Sequence, residues 1–160
     1  MGLFLDLTRG AVGGALGTWV MDLATTAMME RQSPAVSARE ADARPNGKSS
    51  VENLVDLLED ATGQPIPKAT RPMVQQAVHY GLGVVPGALY ATLRRAPLGG
   101  STRGIALGLL LWALNDEYMN TRLGLAGPYE AYPTETHLRG LVGHVALGVT
   151  TDMTIYVLGG

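Results

Sequence analysis

From Met73 to Leu93 the chain carries no formal charge, and His79 is the only side chain in that run that titrates near neutrality. About 20 residues of this kind are enough to span a bilayer as a helix. Three further apolar segments accompany it, so the candidate spans are Thr8 to Glu30, Pro72 to Leu93, Leu98 to Met119 and His137 to Leu158. The expected fold class is all-α: a polytopic membrane protein with four transmembrane helices in an antiparallel bundle, one domain over residues 1–160. Segment one contains Asp22, Arg103 interrupts segment three, and Arg139 and Asp152 sit near the ends of segment four, where charges can snorkel. A soluble helical bundle is the alternative, because apolar runs of roughly 10–14 residues are often buried core helices.

The mean hydropathy is only slightly positive. A charged stretch from Glu30 to Arg71 dilutes segments that are each strongly apolar. Arg9, Arg94, Arg95 and Arg103 lie on the side of both termini, whereas the short loop from Asn120 to Thr136 holds only Arg122. The bias of basic residues in short loops then places both termini in the cytoplasm, in a bacterial inner membrane. Residues 31–71 form a polar external loop. Within it Ser49 or Ser50 can cap an amphipathic helix over Val51 to Ala61, with Val51, Leu54, Val55, Leu57 and Leu58 on one face and Glu52, Asp56, Glu59 and Asp60 on the other. Its acidic face favours docking over the bundle mouth or on a partner protein. No secretory signal peptide is expected, because no basic stretch precedes the first apolar segment.

The 21 glycines are placed in series. Gly10 and Gly14, Gly13 and Gly17, Gly83 and Gly87, and Gly100, Gly104 and Gly108 each recur at i+4, on one helical face, where backbones can approach closely. Polar residues occupy similar stripes: Thr18, Asp22 and Thr26; Gln76, His79 and Tyr90; His137, His144 and Thr151. Along their helices Asp22, His79 and His144 fall at one depth, roughly 10–12 Å from the external end. Asn115, Asp116 and Glu117 lie nearer the mouth. The candidate site is therefore Asp22, His79, Asp116, Glu117 and His144, a funnel of imidazoles and carboxylates.

Several chemistries use such a set. A divalent metal ion takes imidazole nitrogen and carboxylate oxygen. A haem takes two axial imidazoles, here His79 and His144. A proton path uses the same groups, and hydrogen bonding between helices uses them without further function. His137 reads as a rim histidine, Trp19 and Trp112 as packing or interface anchors, and Tyr90 as an interfacial aromatic. No nucleophile elbow, phosphate loop or dinucleotide fingerprint occurs, so no catalytic residue is expected. A net charge of −2 with no basic cluster speaks against nucleic acid as a partner, and the absence of cysteine excludes disulfides and thiolate ligands. The expected partners are the lipid bilayer and further copies of the chain or a larger membrane complex.

The run Gly104, Gly108, Asp116, Gly124-Leu125, Pro128, Pro133 and Gly143-His144 resembles the second half of the YagU-like bacterial inner-membrane proteins, a family of unknown function. The first half is similar in outline, with a glycine-rich helix, a long polar loop and a helix carrying His79 and Tyr90. Where that family has a histidine on the third helix, this chain has Asp116, a harder ligand. The resemblance implies fold and location and lends no activity. Two functions remain open: a membrane protein binding a metal ion, or moving protons or a small solute, through its own site; and a non-catalytic accessory subunit.

Overall fold

The computed structural model describes residues 2–94 and 102–159. Among them the chain is helical throughout: α1 (Leu3–Met29), α2 (Pro34–Ala43), α3 (Ser50–Thr62), α4 (Arg71–Leu93), α5 (Arg103–Leu111), a π-helical continuation (Trp112–Met119), the short α6 (Asn120–Arg122) and α7 (Thr134–Val157). Arg95, Gly100 and the start of the third segment at Leu98 lie outside the described residues.

No helix among the described residues is long and apolar enough to cross a membrane. That overturns the four-span architecture, and with it the bacterial inner-membrane location, the cytoplasmic assignment of both termini and the membrane-protein description. The reason lies in composition. Each long helix reaches its length by including polar groups, such as Asp6, Arg9 and Asp22 in α1 or Glu135, His137, Arg139 and Asp152 in α7. The third segment is apolar only over α5 and then passes into Asn115-Asp116-Glu117. Much of the remainder is glycine, alanine and threonine, which contribute little transfer energy.

Glycine sets the helix order. α1 lies between α4 and α7, and α5 packs on α7. A Cβ on Gly10 would stand 2.3 Å from Gly87 O, and one on Gly14 the same distance from Gly83 O, so α1 and α4 meet backbone to backbone. On α1's other side Gly13 faces Thr151 and Gly17 faces Leu147 O, while Gly104 faces Gly148 O and Gly108 faces His144 O across the α5–α7 seam. Neighbouring helices are antiparallel in all three seams. Contact this close exposes Cα–H groups to carbonyl oxygens and excludes side chains from the interface. Thr18 and Thr151, both fully buried at these seams, satisfy their hydroxyls on Gly14 O and Leu147 O within their own helices.

Between α1 and α4 the chain forms a cap of two helices. Ser33 caps α2, with Pro34 in the first turn, and the Ser49–Glu52 capping box starts α3, which ends at Gly63 in the left-handed conformation. The apolar face of α3 buries Val55 completely, and Asn53 Nδ2 donates to Leu125 O at 3.1 Å. The cap is also held by buried Glu40, whose carboxylate accepts from Arg139 Nη2 and Arg44 Nη2 at 2.7 Å each and from Gln32 and Thr136 at 3.2 Å. Arg71 at the start of α4 binds both Asp56 and Glu59 of α3.

The outer faces of the long helices carry large apolar side chains in the open, among them Phe4 (82 % exposed), Met73 (70 %) and Tyr156 (72 %). Such surface is far more than scattered singletons.

A leucine at Gly104 must displace backbone at Gly148 and Val149, both 2.8 Å from its Cβ position. Gly104→Leu should therefore lower the melting temperature, with a loss of about 1–3 kcal/mol by chemical denaturation, whereas Gly81→Leu, where a Cβ meets nothing within 4 Å, should leave it nearly unchanged. Equal losses would show that the α5–α7 seam carries no stability.

Burial raises the cost of ionising Glu40, but hydrogen bonds from Arg139 and Arg44 outweigh it and hold the carboxyl at about 2, below its ordinary 4.5. A depressed folded value contributes stability that is fully present above pH 4.5 and is lost as pH falls toward 2. Glu40→Gln should cost on the order of 3 kcal/mol at neutral pH and flatten stability between pH 4.5 and 2. An unchanged acid limb in the variant would assign that limb to other carboxylates.

Candidate functional site

α4 and α5 both flank the α1–α7 pair but hardly touch each other. The space between them is a cavity of about 900 Å³, walled by α1, α4, α7 and the π-helical segment and roofed by the cap at Glu40, Ser49 and Leu54. The cap thus lies over the bundle mouth. Its floor and walls are largely apolar, with Met21, Leu82, Leu111 and Leu147 among them. Pro86 lies in this wall and has no N–H to give Leu82 O, the carbonyl four residues earlier.

The five sequence-expected site residues do not form one cluster. His79 Nε2 donates to Asp22 Oδ1 at 2.8 Å, joining α4 to α1, with both side chains partly exposed. His144 is buried on α7, with Nδ1 3.0 Å from Gly140 O and 3.4 Å from Asp116 Oδ2. A carbonyl only accepts, so Nδ1 carries the hydrogen. Glu117 is diverted to the rim: its Oε1 is 2.8 Å from His137 Nδ1, while His137 Nε2 is 3.1 Å from Tyr129 O and the ring stacks on Tyr129.

Among the described residues no three histidine, aspartate or glutamate side chains are grouped so that they could hold a metal ion. This corrects the divalent-metal expectation for Asp22, His79, Asp116, Glu117 and His144. Equal depth along separate helices does not give convergence, and each acid meets an imidazole one to one.

Asp116 is the distinctive acid. Burial pushes its carboxyl above the ordinary value of 3.8 against the opposing pull of His144 and of the Asn115 amide, and neighbouring Glu117 adds to the rise. Asn115 Nδ2 donates to Oδ1 at 3.0 Å, which leaves Oδ2 as the oxygen that faces His144 Nδ1–H at 3.4 Å. The π-helical turn makes this placement. Asn120 N bonds Asn115 O, five residues back, and such widened turns recur at functional sites.

Two clusters went unread in the sequence. At the far end of the bundle Asp152 Oδ1 accepts from Tyr90 Oη at 2.7 Å and from Arg94 Nε at 2.8 Å, and burial together with Asp152 pushes the Tyr90 hydroxyl well above its ordinary value. The four-residue spacing of Tyr90 and Arg94 was the available signal. The Glu40–Arg139 pair has none, since its partners are 99 residues apart.

In comparisons with known proteins, the chain matches no protein-family model, no curated protein and no solved structure, so the likeness to the YagU-like proteins stands on the residues that carry it alone.

Proposed function

We propose that this chain is a small-solute-binding protein whose central cavity exchanges protons at the Asp116–His144 pair. The observation that supports this most is the placement of Asp116. Its carboxyl sits on the wall of a largely apolar cavity, its Oδ2 faces His144 Nδ1–H, and among the described residues no arginine or lysine is bonded to it. A purely structural carboxylate is normally paired so that its charge is neutralised, as Glu40 is by two arginines. A carboxyl whose burial raises its affinity for a proton takes up or releases that proton when its surroundings change. His79–Asp22 on the opposite wall supplies a second imidazole with a free nitrogen.

The sign of the linkage is fixed by the direction of the shift. The folded chain retains the Asp116 proton to higher pH than the unfolded chain, so stability falls as pH rises from 3.8 through the folded value. In a Trp19→Phe background, where Trp112 is the sole indole, fluorescence should report one transition above the ordinary carboxylate range, and Asp116→Asn should remove both that transition and the fall in stability. An identical titration in Asp116→Asn would remove proton exchange from the reading.

The exposed apolar faces favour a second reading alongside the first, in which the chain is a subunit of a homo-oligomer or larger assembly. Light scattering should give a mass that is a multiple of 16.8 kDa. Substituting glutamates for Phe4 and Tyr156 should lower it, and a monomer at all concentrations would remove this reading.

A further inference from the structure

The cavity changes character along its length. The close approaches of Gly14 to Gly83 O and of Gly17 to Leu147 O set the levels of α1, α4 and α7 against one another, and on that scale Met21, Val78, Leu82, Val85, Pro86 and Leu147 line the part away from the cap. His79, at the same level, is turned to Asp22. Toward the cap the lining becomes polar, with Ser50, Asn120, Tyr129 and Thr136 in place of aliphatic side chains. From Thr136 to Leu147 the change takes eleven residues of α7, about 16 Å at a rise of roughly 1.5 Å per residue. The wall is open on one side: Leu82 and Val85 line the cavity and are still 39 % and 59 % exposed, where α4 and α5 hardly touch. The volume of about 900 Å³ falls within the roughly 300–1,000 Å³ typical of small-molecule sites.

The polar end has hydrogen-bonding capacity to offer and no unpaired charge. Glu40 is bound by Arg44 and Arg139, and Glu117 lies against His137. A charged head would have to break one of these pairs to gain another, and breaking a buried pair is costly. By contrast the Ser50 hydroxyl, the Asn120 amide and the Tyr129 hydroxyl make no hydrogen bond among the described residues. Hydroxyls and amides both donate and accept, so their complement is a group that does both without charge.

We infer that the cavity seats a single-chain amphiphile, its uncharged polyol head under the cap at Ser50, Asn120 and Tyr129 and its alkyl tail among Val78, Leu82, Val85 and Leu147, the chain entering through the gap between α4 and α5. This names the solute class of the binding reading above and rests on it. A sugar head and a glycerol head share this chemistry, and the probes separate them.

The test adds hexyl glucoside, octyl glucoside, monooctanoylglycerol, octyl sulfate and octyltrimethylammonium, each below its micelle concentration, to the full chain in the Trp19→Phe background. Trp112 lines the cavity, so its fluorescence reports occupancy. Octyl glucoside should shift the emission saturably and bind roughly fifteenfold more tightly than hexyl glucoside, because each buried methylene contributes about fourfold. Tighter octyl glucoside than monooctanoylglycerol assigns a sugar head, and the reverse a glycerol head. Tighter binding of either charged probe than of both would overturn the uncharged head. Asn120→Ala, which removes no hydrogen bond within the chain, should weaken the preferred probe roughly two- to tenfold. Val85→Asp, at the opening, should weaken it roughly tenfold or more, whereas Leu89→Asp, one turn further along the exposed face of α4 and outside the lining, should not; melting temperatures check that both variants keep the fold. Equal losses at the two positions would place the amphiphile on the outer apolar face and overturn the proposal. If no uncharged probe moves Trp112 while the Asp116 transition persists, the amphiphile is wrong and proton exchange stands; if that transition is missing too, the binding reading falls with it.

Discussion

Backbone contact through glycine is the constraint on which the rest of this structure depends. Gly10 and Gly14 bring α1 against α4, Gly13 and Gly17 bring it against α7, and Gly104 and Gly108 bring α5 against α7. The three seams form a chain α4–α1–α7–α5, which leaves its two ends, α4 and α5, without a seam between them. α4 presents Gly83 and Gly87 to α1, and its remaining inward residues, Val78, His79, Leu82 and Val85, meet no glycine face on α5. The cavity is the consequence. It arises because close packing was satisfied elsewhere and the leftover gap is lined by side chains too large to collapse it.

The seams were legible in the sequence because spacing by four is a local property, and any helix turns it into a face. Both ends of α3 were legible for the same reason, through Ser49, Glu52 and the alternation of leucines with acids. The long helices begin and end within a few residues of their apolar segments. The membrane expectation failed on a different point. Apolar segments were weighed by their uncharged stretches, but the structure keeps Asp6, Asp22, Glu135 and Asp152 inside α1 and α7, and α4 includes Gln75, Gln76, His79 and Pro86, so no helix among the described residues combines length with apolarity. α2 was missed although Ser33-Pro34 is a start signal, because its charged body gives little periodicity and its anchor, Arg139, comes from the other end of the chain.

For the site, depth along each helix was readable and direction was not. His79, His144 and Asp22 share a level, yet His79 turns to α1 and His144 turns to its own helix and Asp116. A rotation of one residue, roughly 100° on a helix, decides between convergence and separate pairs, and no single-helix pattern encodes the rotation of its neighbour. The π-helical turn compounds this. It breaks the α-helical spacing between α5 and Asp116, whose Oδ2 lies beside Gly140 of α7.

The contrast between Glu40 and Asp116 shows what the cavity does to a carboxyl. For both, desolvation is the largest single influence and raises the affinity for a proton. Glu40 meets two guanidinium groups that return more than burial takes, so it stays ionised and clamps the cap. Asp116 meets one imidazole and one amide, which return less, so it keeps its proton to higher pH. The partners give the two shifts opposite directions. The cap held by Glu40 roofs the cavity that Asp116 lines, so the ion pairs that depress one carboxyl help to build the surroundings whose desolvation raises the other.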